Sequence, residues 1–294
     1  MTPLSLPVKH QAGVLTVGAA RRFAAETLAA AGVASPWADA GILLSFVSGV
    51  PYRELGGRAG EGVAPGDAAR LRALARRRLA GEPAQLIVGV APFLGLELPV
   101  RAGVFIPRAE TEGLAVLAES LIAEVSAPVV VDLYAGVGPL AIYLARRFPA
   151  ATVLAVEADP LAAALITENA AAHGVAVTVL PGDVGAAAVA DGLPAADLIV
   201  ANPPYIKTAD IGTLPAEVRD WEPRAALDGG ADGLACYPLI ADLARRRLKP
   251  GGVLAVEIAE EGGADVSHLC EAVGDAEVKK DLAGRDRYVT ARRR

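Results

Sequence analysis

The residues with the clearest chemical role in this chain are Asn202-Pro203-Pro204-Tyr205, which follow an apolar run at residues 197–201. A planar amide nitrogen is a poor nucleophile because its lone pair is delocalised. The Asn202 side-chain carbonyl and the Pro203 backbone carbonyl can accept its two hydrogens, and the prolines hold both carbonyls stiffly. Tyr205 can stack on the planar group. The four residues therefore predict a catalytic site for methyl transfer to nitrogen, in which positioning supplies most of the rate.

A glycine loop upstream of this segment predicts a nucleotide-like ligand. Gly136 and Gly138 lie between a predicted strand at residues 129–133 and a predicted helix. The glycines let the backbone approach a ligand closely, and the helix N-terminus offers free N–H groups. In an open α/β sheet such a loop and the Asn202 segment face the same crevice, beyond the carboxyl ends of the strands.

Acidic residues follow the next two predicted strands and extend this site. Glu157 ends the strand at residues 152–157, and its carboxylate can accept hydrogen bonds from both hydroxyls of a ribose. Asp183 can bind the exocyclic amine of adenine, while Val184 packs on the ring. Taken in chain order, these residues predict a nucleoside site beside the predicted catalytic segment.

Two alternatives use the same residues differently. A nicotinamide-binding fingerprint needs a third small residue after the glycine pair, and Ala141 satisfies it, so the loop alone does not exclude a dehydrogenase. A structural alternative treats the glycines as a tight turn and Asn202 as a capping residue in a proline-stiffened turn. The succession of Glu157, Asp183 and Asn202 favours a methyltransferase with S-adenosylmethionine as its cofactor.

The elements that position these residues alternate between strands and helices, which predicts an α/β fold with a mainly parallel sheet. The predicted strands are residues 129–133, 152–157, 175–180, 197–201 and 253–258, with an antiparallel pair at 276–280 and 287–291. Helices are predicted at 17–31, 37–47 and 67–80, and residues 85–89 and 94–100 predict the two strands of a β-hairpin with its turn near Pro92.

Composition limits the partners and the location of the protein. The net charge of -6 and the pI near 5.2 argue against stable binding to nucleic acid through its phosphates. Cys236 and Cys270 form no metal-ligand pattern with the three histidines, so no metal is predicted. Residues 1–13 lack the charged segment followed by an apolar segment that is typical of a signal peptide. No apolar run has the length of a membrane span. A cytoplasmic protein without membrane contact is expected.

Segments along nearly the whole chain resemble the HemK-type protein-glutamine methyltransferases, which act on the Gly-Gly-Gln glutamine of peptide-chain release factors. The matching segments are residues 52–55, 81–83, 93–96, 105–112, 214–219, 222–223, 226–234 and 281–287. Asn-Pro-Pro-Tyr alone also occurs in adenine and guanine methyltransferases, but the flanking segments match this family more closely. The sequence departs from the family pattern at residues 134–138, Leu86, Ala109 and residues 259–263.

The resemblance implies a fold, a division of the chain and a set of site residues. The fold is a seven-stranded Rossmann-like class I methyltransferase domain at residues 102–294, after a helical substrate-recognition domain at 1–81 and a hairpin linker at 82–101. The target is held by Asn202 to Tyr205. The predicted cofactor-binding residues are Asp132, Tyr134, Ala135, Gly136, Val137, Gly138, Glu157, Ala158, Asp183, Val184 and Asn202.

Three classes of function stay open at this point. The first is N5-methylation of a release factor glutamine, and the second is N-methylation of a free metabolite with an amide or guanidino group, such as arginine. The departures from the family pattern keep this second class open. A base methyltransferase of nucleic acid, or a module that binds the cofactor without catalysis, is the third.

Overall fold

The computed structural model describes residues 15–294, so the segment 1–13 considered above lies outside it. The chain divides into two compact units, Met1–Val88 and Gly89–Arg294. The assignment of residues 1–81, 82–101 and 102–294 to three separate roles stays a prediction. Within residues 15–294 no helix combines the length and the apolar character that crossing a membrane requires.

The described part of the first unit is helical. It contains α1 (Val17–Ala30), α2 (Pro36–Ser48), α3 (Pro65–Leu79) and α4 (Ala84–Val88), with a 3-10 turn at Tyr52–Glu54. Thr16 caps α1, and prolines occupy the first turns of α2 and α3, where their missing N–H costs nothing. The apolar faces of the helices form one core around Leu28, Leu43 and Leu44.

The second unit begins with a β-hairpin, which differs from the sequence prediction. Its strands are β1 (Val90–Phe93) and β2 (Leu96–Pro99), whereas the strand predicted at residues 85–89 is wrong because those residues lie largely in α4. Pro83 precedes α4 and its carbonyl accepts the Ile87 N–H, which starts a helical turn. The turn lies at Leu94 and Gly95, not near Pro92, because both residues adopt the positive φ that a two-residue hairpin turn needs.

A seven-stranded sheet forms the centre of the second unit, as the sequence predicts. The strands are β3 (Val129–Leu133), β4 (Thr152–Glu157), β5 (Thr178–Pro181), β6 (Ala196–Ala201), β7 (Leu248–Glu257), β8 (Gly274–Lys280) and β9 (Asp286–Arg293). Their order in space is β5-β4-β3-β6-β7-β9-β8. The first five strands are parallel, and β9 lies antiparallel between β7 and β8.

Helices cover both faces of this sheet. They are α5 (Ala109–Leu121), α6 (Pro139–Arg147), α7 (Pro160–Ala172), α8 (Ala187–Gly192), α9 (Ala216–Arg219), α10 (Tyr237–Arg247) and α11 (Gly263–Cys270). One core contains sheet residues such as Val131 together with α10, and the other contains Val130 together with α5 and α6. The strand order reverses direction between β3 and β6, and ligands of doubly wound sheets bind beyond the strand ends at such a point.

Candidate functional site

The loops that follow β3, β4, β5 and β6 enclose a cavity of about 490 Å³. The structure brings most of the sequence-predicted site residues to its wall. From the predicted set, the wall contains Tyr134, Gly136, Glu157, Ala158, Asp183, Val184, Asn202, Pro203, Pro204 and Tyr205. The predicted cofactor and target residues therefore share one space within the second unit.

A smaller space of about 30 Å³ adjoins the cavity beneath the glycine loop. Asp132, Ala135 and Val137 line it, together with Tyr134, Gly136 and Asn202 of the larger cavity. Gly138 lines neither space. It precedes α6 with φ +86, and a Cβ at Gly138 would lie 3.1 Å from side-chain atoms of both Ile142 and Ile166. Close packing between loop and helix therefore accounts for this glycine.

Glu157 ends β4, and backbone groups hold its carboxylate in place. The Gly136 N–H donates to Oε2 at 2.7 Å, and the Asp159 N–H donates to Oε1 at 2.8 Å. Burial raises the pKa of Glu157, and these backbone hydrogen bonds oppose the rise. Its two oxygens carry more lone pairs than these N–H groups occupy, so the carboxylate keeps acceptor capacity for a ligand in the cavity.

The glycine loop is built from the end of β3 and the start of α6. Gly136 has φ +57, and a Cβ placed there meets nothing within 4 Å, so its surface is open to a ligand. Asp132 is buried, and its Oδ2 accepts the Ala141 N–H of α6 at 3.0 Å. Burial raises the pKa of Asp132. This carboxyl group therefore ties the first turn of α6 to the sheet beneath the loop.

Asp183 and Val184 follow β5, as the sequence predicts. The Gly185 N–H donates to Asp183 Oδ1 at 2.7 Å, which fixes the carboxylate at the cavity wall. Val184 is buried and presents an apolar surface to the same cavity. The pair thus offers an acceptor beside an apolar face, the arrangement expected for an aromatic ring with an exocyclic amine.

Asn202 directly follows β6, and its side chain is held by another side chain. Its amide nitrogen donates to Thr111 Oγ1 at 2.9 Å, and the Thr111 hydroxyl donates to Glu257 Oε2 at 2.8 Å. Thr111 lies in α5 and Glu257 is the last residue of β7. The other oxygen of Glu257 accepts the Tyr205 hydroxyl at 3.2 Å. Both ends of the Asn202–Tyr205 segment therefore connect to one carboxylate.

Glu257 is 1% exposed, and its burial raises its pKa to about 7. The hydrogen bonds from Thr111 and Tyr205 and the nearby charge of Arg287 oppose this rise. Burial also raises the pKa of Tyr205, so its hydroxyl keeps its proton and stays a donor. The carboxyl group is thus a titratable centre directly behind the predicted catalytic segment.

The structure adds residues to the site that the sequence reasoning did not identify. Arg108 lines the cavity and donates to the buried carboxylate of Glu222, which joins two parts of the wall. Arg287 of β9 also lines the cavity and donates to the Ile258 carbonyl. Thr111 and Glu257 support Asn202. One signal was available for Glu257, since it is an acidic residue near the end of the strand predicted at residues 253–258.

Two family profiles match this chain. The family described as "PrmC N-terminal domain" matches residues 19–89, and the family described as "Methyltransferase small domain" matches residues 95–216. The first match covers most of the described helical unit. The second contains the glycine loop, Glu157, Asp183 and the Asn202 segment.

Curated relatives match between 78% and 95% of this chain. A release factor glutamine methyltransferase of Moorella thermoacetica is 39% identical over 95% of this chain and 99% of its own length. The enzyme of the same name from Geobacter sulfurreducens is 42% identical over 78% of this chain and 79% of its own. The one from Cereibacter sphaeroides is 41% identical over 93% of this chain and 97% of its own.

Proposed function

Because this chain belongs to the release factor glutamine methyltransferase family, we propose that it methylates the side-chain amide nitrogen of a glutamine in a peptide-chain release factor. One observation within the site carries the proposal. The Asn202 amide nitrogen is bound to Thr111, so its carbonyl oxygen is the atom left for a target N–H. Asn202 and Pro203 both line the cavity, and two carbonyl acceptors suit an NH₂ group.

The cavity is suited to S-adenosylmethionine as the methyl donor. Glu157 keeps acceptor capacity for the ribose hydroxyls, and Asp183 and Val184 offer an acceptor and an apolar face for the adenine. Gly136 has open space beside it, which leaves room for the cofactor to pass close to the loop. The cofactor supplies an electrophilic methyl group on a positively charged sulfur.

The chain's own residues then prepare the amide nitrogen. The Asn202 and Pro203 carbonyls accept its two hydrogens. These hydrogen bonds orient the lone pair of the nitrogen toward the side of the cavity that binds the methyl donor. As the nitrogen gains a bond, its hydrogens become more positive, so these acceptors bind the transition state more strongly than the ground state. No general base is needed before transfer, because the alkylated nitrogen can lose a proton to water afterwards.

Transfer of a radiolabelled methyl group tests the proposal. The labelled cofactor is incubated in separate reactions with nuclease-treated release factor, with the same protein carrying an alanine in place of the Gly-Gly-Gln glutamine, with free glutamine and arginine derivatives, and with DNA and RNA. We expect label only in the unaltered release factor. Label in the free amino acids alone would instead support a small-molecule methyltransferase, and label in nucleic acid would support a base methyltransferase. Asn202→Ala enzyme serves as the control for background transfer.

A further inference from the structure

We propose that Thr111 and Glu257 are positioning residues that set the direction of the Asn202 amide, and that they do so only while the Glu257 carboxylate is ionised. The inference deepens the proposed function and rests on it, because the direction of the amide matters only if Asn202 accepts a hydrogen bond from the target nitrogen. The hydrogen-bond chain from Glu257 through Thr111 to Asn202 carries the argument.

The direction of this chain follows from counting donors. An ionised carboxylate can only accept, and a threonine hydroxyl has a single hydrogen. Thr111 must therefore donate to Glu257 and offer its oxygen to Asn202 as an acceptor. Only the Asn202 amide nitrogen can donate to that oxygen, so the Asn202 carbonyl points the other way. The negative charge of Glu257 at one end of the chain thus leaves the Asn202 carbonyl oxygen available at the other end.

Protonation of Glu257 removes this constraint. A carboxylic acid can donate to the Thr111 oxygen, and the Thr111 hydrogen can then donate to the carbonyl oxygen of a flipped Asn202. The flipped amide would present its NH₂ group to the target, whose own NH₂ group is also a donor. Two donors cannot bond to each other, so the flipped form cannot hold the target nitrogen.

Burial prevents the chain from being replaced by bonds to bulk water. Thr111 is 2% exposed and Glu257 is 1% exposed. Buried polar groups of this kind must be satisfied by their protein partners, since an unpaired one is costly. The same carboxylate holds the Tyr205 hydroxyl, so its charge state affects both ends of the Asn202–Tyr205 segment.

Two charged side chains and three tyrosines lie close enough to Glu257 to interact with it electrostatically. Arg287 on β9 favours its ionised form, and Glu110 at the start of α5 opposes it. Burial raises the pKa of Tyr205, of Tyr237 on α10 and of Tyr288 on β9, so all three hydroxyls stay neutral. The pKa of Glu257 itself is raised to about 7. Turnover is therefore expected to fall as the pH falls through this value.

Steady-state kinetics of three variants test the proposal with the release factor as substrate. Thr111→Val removes the hydroxyl while keeping the shape, and we expect kcat to fall about tenfold, the equivalent of one neutral hydrogen bond. Thr111→Ser keeps the hydroxyl and should retain the wild-type kcat. It should also retain the fall of kcat at acid pH, the acid limb of the pH profile. In Glu257→Gln the acid limb should disappear and kcat should fall. S-adenosylhomocysteine affinity should stay unchanged in all three. Wild-type kcat and pH profile in Thr111→Val, or equal losses in the valine and serine variants, would overturn the proposal.

A second measurement needs no substrate. The chain contains two asparagines, Asn169 and Asn202. Asn169 is buried, and its amide nitrogen donates to the Val137 and Pro99 carbonyls, so it is a matched control without a titratable partner. With ¹⁵N-asparagine labelling, the Asn202 side-chain amide signal should shift as Glu257 titrates, while the Asn169 signal stays fixed.

The outcomes separate the two proposals. The Asn202 shift should vanish in Thr111→Val and in Glu257→Gln. A pH-independent Asn202 signal in the wild-type protein would refute the positioning role, whatever the enzyme methylates. A normal Asn202 titration in a protein that does not methylate the release factor would refute the proposed function and leave the hydrogen-bond chain supported.

Discussion

The cavity has a cofactor half, around Gly136, Glu157 and Asp183, and a target half, the segment Asn202–Tyr205. The two halves hold their central side chains, Glu157 and Asn202, in different ways. In the cofactor half, backbone N–H groups of Gly136 and Asp159 hold Glu157, and the more distant of the two is 21 residues away. In the target half, the Thr111 side chain, 91 residues earlier in the chain, binds Asn202. The Glu257 side chain, 146 residues after Thr111, binds Thr111 in turn. One half is positioned by the backbone, the other by a hydrogen-bonded chain of side chains.

This difference has a consequence for substitutions. A backbone N–H is present at every residue except proline, so the support of Glu157 does not depend on a polar side chain at either neighbour. The support of Asn202 is lost if either Thr111 or Glu257 loses its polar group. We therefore expect single substitutions in the target half to change turnover, and substitutions in the cofactor half to change binding.

The largest expected effect is at Asn202 itself. Asn202→Ala removes one of the two acceptors for the target nitrogen and should lower kcat by roughly 10²–10³, like the loss of one transition-state hydrogen bond. Asn202→Asp keeps an acceptor but adds a charge, which suits a neutral amide less well. Single-turnover rates with the release factor measure both effects.

Cofactor binding is the control for this prediction. Calorimetry should show that S-adenosylhomocysteine affinity changes far less than turnover in both variants, although Asn202 is also a predicted cofactor contact. Near-wild-type turnover in a folded Asn202→Ala protein would show that the segment is only a stiff turn. Activity of Asn202→Asp on a guanidino compound would favour the small-molecule alternative.

The next largest effect concerns stability rather than rate. Because the pKa of Glu257 is raised to about 7, the folded protein binds this proton more tightly than the unfolded chain. The free energy of unfolding therefore falls as the pH rises from the ordinary carboxyl range to about 7. Glu257→Gln cannot ionise, and above that pH it should be more stable by a few kcal/mol, at about 1.4 kcal/mol per pKa unit.

Thermal melts across this pH range measure the difference between Glu257→Gln and the wild type. At acid pH, where Glu257 is protonated, the two proteins should melt at similar temperatures. A substitution that stabilises the fold while lowering turnover would identify the carboxylate as a functional group. Equal pH dependence in both proteins would contradict the raised pKa.

A smaller effect is expected in the cofactor half. Glu157→Ala should weaken S-adenosylhomocysteine binding by about 1.5–3 kcal/mol, the usual contribution of hydrogen bonds to a charged group. Glu157→Gln keeps the shape and one acceptor and should lose less. At saturating cofactor, kcat should stay near the wild-type value in both. A large loss of kcat with unchanged affinity would remove the distinction between the two halves, and tighter binding of NAD would exclude a methyltransferase.

The smallest expected effect is at the helix that follows Glu157. The Asp159 side chain caps α7 by accepting the Ala162 N–H at 2.9 Å. Asp159→Ala should lower stability by about 1 kcal/mol, whereas Asp159→Asn keeps the cap and should change it little. Because Asp159 holds Glu157 through its backbone, kcat should not change in either variant. A drop in kcat in both would show that the side chain itself acts in the site.

The sequence predicts the cofactor half well because its signals are local. A glycine pair between a strand and a helix, and an acid at the end of the next strand, lie close together in the chain, and parallel strands bring their carboxyl ends to one edge. The seven-stranded sheet follows from the same alternation of strands and helices, and it is confirmed. The binding roles of Glu157, Asp183 and Val184 stay predictions.

The target half was predicted only in part because its support is distant in sequence. No spacing rule connects Thr111 or Glu257 to Asn202, since the three residues meet only when α5, β6 and β7 pack together. The first strand of the hairpin was misassigned for a different reason. A short apolar run such as residues 85–89 has no periodicity that separates a strand from a helical turn.

The position of β9 has a consequence for how the chain folds. Since β9 lies between β7 and β8, the inner strand β7 has no partner on that side until residues 286–293 arrive. During synthesis β7 would be an apolar edge strand with unpaired backbone groups, the kind of surface on which chains aggregate. A chain truncated before Asp286 is therefore expected to aggregate rather than to form a smaller enzyme. Arg287 belongs to the same strand, so the cavity wall is complete only once β9 is in place.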